Sequence, residues 1–238
     1  MINVLRSEWV KFRSVRSTLI TLILAGGLVV LVAVIAANHE NDIGGAANLS
    51  ALTGGVSAAA LIFGTLGVQI IGQEYRFTTI RPTFTAVPRR LQVLIAKLIV
   101  ATLAVATTAA AMVALCWVIG TVMLDDFAMD GVDRRIAFGI VCFSVIWTAF
   151  GFGLGAIVRQ PIAGILIMLG WAFVAENIIA GLFPRFVRWL PFNNGFQMTL
   201  RIEESPDMQS VLAGGIYLAL ISTALVLLGM VLANRRDA

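Results

Sequence analysis

The sequence has few charged residues and almost none of the residues that bind metals or form disulfides. Only 13% of its 238 residues are charged, against about a quarter in soluble domains. A chain of this length with so few charges cannot cover its surface in water, so we expect lipid around much of it. Cys116 and Cys142 lie in apolar runs, and the single histidine, His39, has no neighbouring ligands. Neither a disulfide framework nor a metal site is predicted.

Two further classes of protein are excluded by what is missing. The sequence contains no Gly-Lys dipeptide, which a phosphate-binding loop of the P-loop type requires. The chain is therefore not predicted to be an ATPase of that type. The net charge is +4, but the basic residues form no dense stripe with interleaved aromatic residues. Nucleic acid is therefore not a predicted partner.

Long apolar runs make up most of the chain, which is 59% hydrophobic. Since a membrane-spanning helix needs about 20 predominantly apolar residues, we predict one all-α membrane domain over 1–238. It has six transmembrane helices, at about 17–37, 51–72, 98–122, 136–158, 161–181 and 209–233. A cleaved signal peptide is the alternative for the first run, which is longer than the apolar part of such a signal.

The positions of lysine and arginine predict the orientation of these helices. With six spans, 12 of the 17 basic residues fall on the side of the N-terminus. The other five are Arg134, Arg135, Arg185, Arg188 and Arg201. Because loops rich in lysine and arginine stay in the cytoplasm, we expect both termini there. The chain is thus predicted to be a multi-pass protein of the cytoplasmic membrane.

The N-terminal segment, 1–16, has the pattern of a helix that lies on a membrane surface. Four apolar residues recur at helical spacing, namely Ile2, Leu5, Trp9 and Phe12. Three cations lie off this stripe, namely Lys11, Arg13 and Arg16. A basic helix with such a face binds in the membrane interface. A simple orientation anchor for the first span is the alternative.

The segment 73–90, between the second and third predicted spans, carries the other informative pattern. Pro82 can begin a helix and Pro88 would end it, so a short cytoplasmic helix is predicted at about 82–87. A helix of that length is not stable alone and needs a surface to dock on. The segment either docks on a protein partner on the cytoplasmic side of the membrane or is an ordinary basic loop.

The two segments together resemble a known family. The pattern Ser-Glu-Trp-x-Lys-x-Arg-Ser-x-Arg-Ser-Thr (7–18) and the run Gly-x-Glu-Tyr-Arg-x-x-Thr-Ile-Arg-x-Thr, with Pro-Arg-Arg and Ala-Lys after it, resemble permease subunits of type 2 ATP-binding-cassette (ABC) exporters, as found in actinobacteria. The resemblance implies that 1–16 is an elbow helix and that 73–90 is a coupling segment. The coupling helix would dock on a separate ATPase subunit, which binds ATP and Mg²⁺.

The resemblance also assigns residues and partners. It places seven residues at or near the ATPase, namely Glu74, Tyr75, Arg76, Arg81, Thr83, Arg89 and Arg90. A smaller second contact would involve Arg159 and Gln160. A second permease half, either another copy or a related chain, would complete the transporter in the lipid bilayer. The permease itself would bind no cofactor and catalyse no reaction.

Other polar and small residues lie within or beside the spans. Glu176 lies inside the fifth span, where an acid is a candidate for a substrate or gating role, with Arg185 or Arg188 as a possible partner. The segment 182–208 is predicted to be an extracellular amphipathic or re-entrant element. Glycines at 64, 67, 151, 153 and 155 predict close helix packing, within the chain or at a dimer face. The acidic cluster at 125–133 is predicted to be solvated.

Three functions are consistent with these patterns. An ATP-driven exporter of an amphiphilic or hydrophobic substrate (drug, lipid or peptide) is favoured by the two motifs. A non-catalytic membrane scaffold or an immunity-type resistance protein is the alternative. An intramembrane enzyme is disfavoured, because Glu176 is the only clear acid within a span and the single histidine lies in a loop.

Overall fold

The computed structural model describes residues 1–43, 49–77, 90–124, 127–201 and 210–235. The structure is 90% helical, and no strand occurs within these ranges. The α-helices are α1 (Ile2–Ser14), α2 (Arg16–Ile43), α3 (Leu49–Leu52), α4 (Val56–Arg76), α5 (Arg90–Met123), α6 (Gly131–Val158), α7 (Pro161–Leu169), α8 (Glu176–Leu182), α9 (Pro191–Gln197) and α10 (Val211–Arg235). A π-helical turn, Gly170–Ala175, joins α7 to α8, and a 3₁₀ helix, Pro184–Trp189, precedes α9.

Within the described residues, five helical stretches are long and apolar enough to cross a membrane. They are Arg16–His39 of α2, α5, α6, the continuous stretch Pro161–Leu182, and α10. The prediction of an all-α, multi-pass membrane protein is thereby confirmed. α4 occupies the position of the second predicted span and is not among the five.

α6 lies at the centre of the bundle, and its most extensive contacts are with α4 and α10. The contact between α4 and α6 depends on glycines. A Cβ atom at Gly67 would collide with the backbone oxygen of Thr148, and one at Gly151 would collide with that of Gly64. Small residues let helix backbones approach closely. The predicted packing role is confirmed for these glycines, and the alternative of a dimer face is wrong for them because they are covered within the chain.

Contacts divide the helix ends into two groups, at opposite ends of the bundle. At one end, which we call the basal end, Arg159 Nη2 donates to the backbone oxygen of Leu232 at 3.1 Å. The Arg159 guanidinium also lies 4.7 Å from the centre of the Tyr75 ring. At the other end, Arg201 Nη2 donates to Asp130 Oδ2 at 2.7 Å, and the Arg201 backbone N–H donates to Ser50 Oγ at 3.3 Å.

α1 is separated from α2 by Val15, whose backbone is extended (φ −84°, ψ 107°). The predicted N-terminal helix is therefore present, but its apolar stripe is divided. Phe12 is buried against the bundle, whereas Ile2 and Trp9 are exposed. The inward face consists of Phe12, the half-buried Leu5 and the buried acid Glu8. Whether the outward face contacts lipid headgroups stays a prediction.

The acids at the start of α6 are not all solvated, contrary to the prediction. Asp130 caps α6, because its carboxylate accepts the backbone N–H of Asp133 at 2.8 Å. Asp133 is buried and lies 3.4 Å from Arg201 Nη2. The Asp133 N–H, and then the Arg201 guanidinium, lower the pKa of Asp130. Residues 125 and 126 lie outside the described ranges.

The first part of the predicted extracellular segment, 182–208, contains two short helices. The 3₁₀ helix is exposed, and Phe183, Phe186 and Trp189 face outward. α9 is largely buried instead, since Gly195 packs directly against Phe143 and Leu218. α9 therefore inserts between α6 and α10, as a re-entrant element would. The remainder, from 202, lies outside the described residues.

Candidate functional site

Four charged side chains meet at the basal end, although they come from three separate helices. Lys97 Nζ of α5 lies 2.5 Å from Glu8 Oε2 of α1 and 2.6 Å from Glu74 Oε1 of α4. Lys11 Nζ lies 2.9 Å from Glu8 Oε1 and 3.9 Å from Glu74 Oε1. We call these four residues the basal ion cluster. It contains two acids and two cations, so its formal charge is balanced.

The cluster is buried at its centre. The side chains of Lys97 and Glu8 are 5% and 4% exposed, and Lys11 covers them at 45% exposure. Removing charges from water costs several kcal/mol per ion, which mutual attraction offsets only when each charge has close partners. Glu8 and Lys97 satisfy that condition together with Glu74. The cluster therefore favours one arrangement of α1, α4 and α5.

The seven predicted coupling residues fall into four groups. Glu74 and Tyr75 turn inward, the first into the basal ion cluster and the second beneath Arg159. Arg76 is exposed at the end of α4, and its guanidinium lies 5.5 Å from the centre of the Phe77 ring. Arg90 is half-buried at the start of α5. The other three, Arg81, Thr83 and Arg89, lie outside the described residues.

The predicted second contact is the junction between α6 and α7. Arg159 ends α6 in a left-handed backbone conformation, with φ of 59°. Its side chain is half-buried and engaged with Tyr75 and Leu232, whereas Gln160 is exposed. Gln160 is thus accessible at the basal end, while Arg159 fixes α7 and the end of α4 relative to α10.

The elbow residues also divide between inner and outer roles. Leu5, Lys11 and Phe12 pack toward the bundle or its ion cluster. Arg13 and Arg16 are exposed, and Trp9 is exposed but stacked on Phe12, with ring centres 6.1 Å apart. The cations that would face anionic lipid are therefore Arg13 and Arg16.

Glu176 forms a second polar centre, toward the other end of the bundle. Its side chain is buried and accepts three hydrogen bonds from within the chain. Oε1 accepts from Trp171 Nε1 at 2.9 Å and from the Phe192 backbone N–H at 2.8 Å, and Oε2 accepts from the Asn193 backbone N–H at 2.9 Å. Neither predicted arginine partner, Arg185 or Arg188, pairs with it in the described part of the chain.

These hydrogen bonds explain how α8 and α9 are held together. The first N–H groups of a helix have no partner within the helix, and Glu176 satisfies those of Phe192 and Asn193 at the start of α9. The π-helical turn contributes, because the backbone N–H of Glu176 bonds the backbone oxygen of Trp171. Trp171 and Glu176 are thereby paired through both backbone and side chain.

A cleft of about 400 Å³ opens beside Glu176. α4, the π-helical turn, α8 and α9 each contribute to its wall. Its lining is mostly apolar and includes Leu61, Phe173 and Ala180. Two amide side chains, Asn177 and Asn193, also line it. Its volume falls within the range of about 300–1,000 Å³ that is usual for small-molecule sites.

Several of these residues could not be assigned from the sequence motifs. Glu8 and Lys97 lie inside the two motifs, yet only the fold brings them within hydrogen-bonding distance. Their sequence signal is an acid on the same helical face as Leu5 and Phe12, and a lysine within an apolar run. Asn193 has no comparable signal, because its position depends on the docking of α9 against Glu176.

Known proteins do not identify the chain. No family model matches it, and no curated protein matches its sequence.

Proposed function

We propose that the chain is the membrane-spanning permease subunit of an exporter that is driven by a separate ABC-type ATPase. ATP and Mg²⁺ would bind to that ATPase, and the permease would move an amphiphilic or hydrophobic substrate outward. A second permease half, identical or related, would complete the pathway in the cytoplasmic membrane. In this proposal α4 is a sixth membrane crossing, both termini are cytoplasmic, and the basal end faces the ATPase.

The basal ion cluster is the observation that carries the proposal. Glu8 belongs to the first family-like motif, and Glu74 and Lys97 belong to the second. The two motifs are distant in sequence, yet Glu8 of the first lies 2.5 Å from Lys97 of the second, which also lies 2.6 Å from Glu74 of its own motif. Segments with unrelated roles would have no reason to converge in this way. A transporter needs such a connection between the segment that meets the ATPase and the helices that move.

The geometry supports a mechanical role for the cluster. Glu74 precedes the segment 78–89 and Lys97 follows it, so both flanks of that segment are fixed to α1. A displacement of the segment by an ATPase would move the ends of α4 and α5 together with α1. Arg159, over Tyr75, extends the same connection to α7 and α10. A force applied at the basal end would thus move the connected helices together.

The test is co-expression with an ABC-type ATPase, followed by purification through a tag on the permease. Co-purification and ATP hydrolysis are measured for the native chain, Arg76→Glu and Arg81→Glu. Arg134→Glu is the matched control, since Arg134 is an exposed arginine at the opposite end. Glu74→Lys is a poor reporter, because a third cation would enter the basal ion cluster.

We expect a stable complex whose formation and ATP hydrolysis are reduced by the two basal reversals and not by Arg134→Glu. ATPase binding that is unaffected by all three substitutions would contradict the proposed docking segment. Failure of any ATPase to bind the folded chain would instead favour the membrane scaffold.

A further inference from the structure

From the arrangement around Glu176, we infer that the cleft binds an uncharged amphiphile, with Glu176 as a positioning residue that holds one wall. The ligand has an aromatic or aliphatic body and one hydroxyl, carbonyl or amide group. The inference depends on the proposed function only where it identifies this ligand as the transported cargo. Binding itself requires no ATPase.

The charge of the lining excludes ionic ligands. Glu176 is the one charged residue among the described residues that line the cleft. Its carboxylate already accepts three N–H groups of the chain and is 4% exposed. A cation would have to displace those donors, and an anion would meet a carboxylate with no basic side chain beside it. Since burying an unpaired charge is costly, a neutral ligand is favoured.

The polar groups that are available are amides. Asn193 lines the cleft, and its side chain has no hydrogen-bond partner within the described ranges. Asn177 Nδ2 donates to the backbone oxygen of Phe173 at 2.8 Å, which leaves its carbonyl oxygen to accept. An amide offers both donors and an acceptor. Together the two residues suit a single neutral polar group on an otherwise apolar molecule.

The aromatic wall is already in place. The Phe192 ring lies 5.1 Å from Trp147, edge to face, and 6.4 Å from Phe196, stacked. Trp147 is fully buried, so Phe192 is supported from behind. Glu176 fixes the backbone of Phe192 and Asn193 relative to α8. A wall that is ordered before binding loses less entropy when the ligand enters.

The binding test uses two probes that differ in charge. They are an N-butyl dansylamide, which is neutral, and the corresponding dansylamide with a trimethylammonium group on its chain. Fluorescence titrations use the purified full-length chain in nanodiscs of phosphatidylcholine, with empty nanodiscs to subtract partitioning. We expect saturable binding of the neutral probe and weaker binding of the cationic one.

Two tryptophan substitutions locate the site. Ala180→Trp fills the cleft from a half-buried position, and Ala110→Trp adds the same bulk on an exposed face of α5. We expect Ala180→Trp to weaken binding of the neutral probe about tenfold or more, and Ala110→Trp to leave it within about twofold. Equal effects of the two substitutions, or binding that does not saturate because an acyl chain fills the cleft, would overturn the inference.

A double-mutant cycle tests the role of Glu176. Glu176→Gln replaces an acceptor of three N–H groups by a side chain with one acceptor oxygen, so Asn193 loses its fixed position. Asn193→Ala should then weaken neutral-probe binding in the native background and have little further effect in the Glu176→Gln background. Additive losses would contradict a positioning role, and cationic binding that disappears in Glu176→Gln would show a direct cation site.

These outcomes are separate from those of the ATPase experiment. Selective neutral binding, combined with failure of every ATPase to bind the folded chain, would support the cleft and contradict the proposed transporter. An ATPase that binds and is coupled, without saturable probe binding, would support the proposed transporter and contradict the proposed ligand site.

Discussion

Lys97 Nζ lies 2.5 Å from Glu8 Oε2, although the two residues are 89 positions apart in sequence. Both side chains are at least nine-tenths buried, so little of either charge is exposed to water. The N-terminal helix is therefore fixed to α5 by a specific ionic contact as well as by Phe12. This contact makes the first testable prediction.

Lys97→Met should strongly destabilise the chain. It leaves Glu8 and Glu74 close together, with only the partly exposed Lys11 to balance them. Removing one member of a buried ion pair typically costs about 3–5 kcal/mol, and we expect a loss of that order in thermal unfolding in detergent. Lys11→Met is the control, with an expected cost of at most about 1 kcal/mol because that lysine is 45% exposed.

A double substitution separates charge from packing in the same cluster. Glu8→Gln with Lys97→Met removes one charge of each sign, so the double variant should lose less stability than the sum of the single losses. Strict additivity would mean that the two residues stabilise the fold independently, in disagreement with their short contact.

Tyr75→Phe should leave stability unchanged or slightly raised. The Tyr75 hydroxyl is buried and has no hydrogen-bond partner among the described residues, and an unpaired buried polar group costs free energy. The ring remains beneath Arg159 in this variant. Tyr75→Leu removes the ring, and we expect a loss of about 0.5–2 kcal/mol from the cation–π contact. Thermal unfolding measures both, and an equal loss in the two variants would contradict the role given to the ring.

The two Tyr75 variants also test the proposed coupling to the ATPase. If the hydroxyl of Tyr75 contacted the ATPase, Tyr75→Phe would lower ATP hydrolysis without lowering stability. We expect no such loss, because the hydroxyl lies inside the chain.

Gly67→Ala should disturb the contact between α4 and α6. The added methyl group would collide with the backbone oxygen of Thr148, which cannot rotate away as a side chain could. Overpacking of this kind costs about 1–3 kcal/mol, measured by thermal unfolding. Gly27→Ala in α2 is the matched control, since a Cβ there has nothing within 4 Å. Its expected effect is neutral or slightly stabilising, and comparable losses at the two positions would contradict the packing.

The cap of α6 should depend on pH. The pKa of Asp130 is lowered in the folded chain by the Asp133 N–H and by Arg201. A lowered pKa means that the ionised form stabilises the fold, so its contribution is present above the unfolded pKa of about 3.9. It is lost as pH falls below that value.

Hydrogen exchange in the first turn of α6, corrected for intrinsic rates, measures this loss. We expect protection to hold from pH 6 to about pH 4 and to fall at lower pH, as Asp130 becomes protonated. Asp130→Asn should keep a capping oxygen but lose most of the pH dependence, whereas Asp130→Ala should exchange faster at every pH. An unchanged pH profile in Asp130→Asn would assign the effect to another group.

Apolar run length predicted the long helices well, because each span must be continuous to cross lipid. The fourth span was predicted at 136–158, and α6 ends at Val158 as expected. The third was placed at 98–122, but α5 begins at Arg90. The extra turns carry Lys97, whose charge marks the edge of an apolar run. In the structure that charge is paired by Glu8 and Glu74, so the helix continues through it.

The candidate sites were less accessible to sequence reasoning, because they depend on long-range contacts. Glu176 was identifiable as an acid within a span, but its partners were not. They are backbone N–H groups of Phe192 and Asn193, which carry no side-chain signature. The arginines at 185 and 188 were the natural candidates from charge alone. The docking of the short helix α9 decides which groups Glu176 binds. The periodicity of the sequence does not reveal that docking.

The π-helical turn before Glu176 limits how the fifth span can vary in length. A π turn accommodates one residue more than the α-helix would place there. A bilayer would tolerate the loss of one residue, which shortens a helix by about 1.5 Å. Deleting one residue from Gly170–Ala175 would remove that extra residue and restore α-helix with α8 still facing α9, whereas deleting one residue from α7 would rotate α8 by about 100° relative to the start of the span. Only the second deletion would turn Glu176 away from α9, so this span can lose a residue within the π turn more readily than before it.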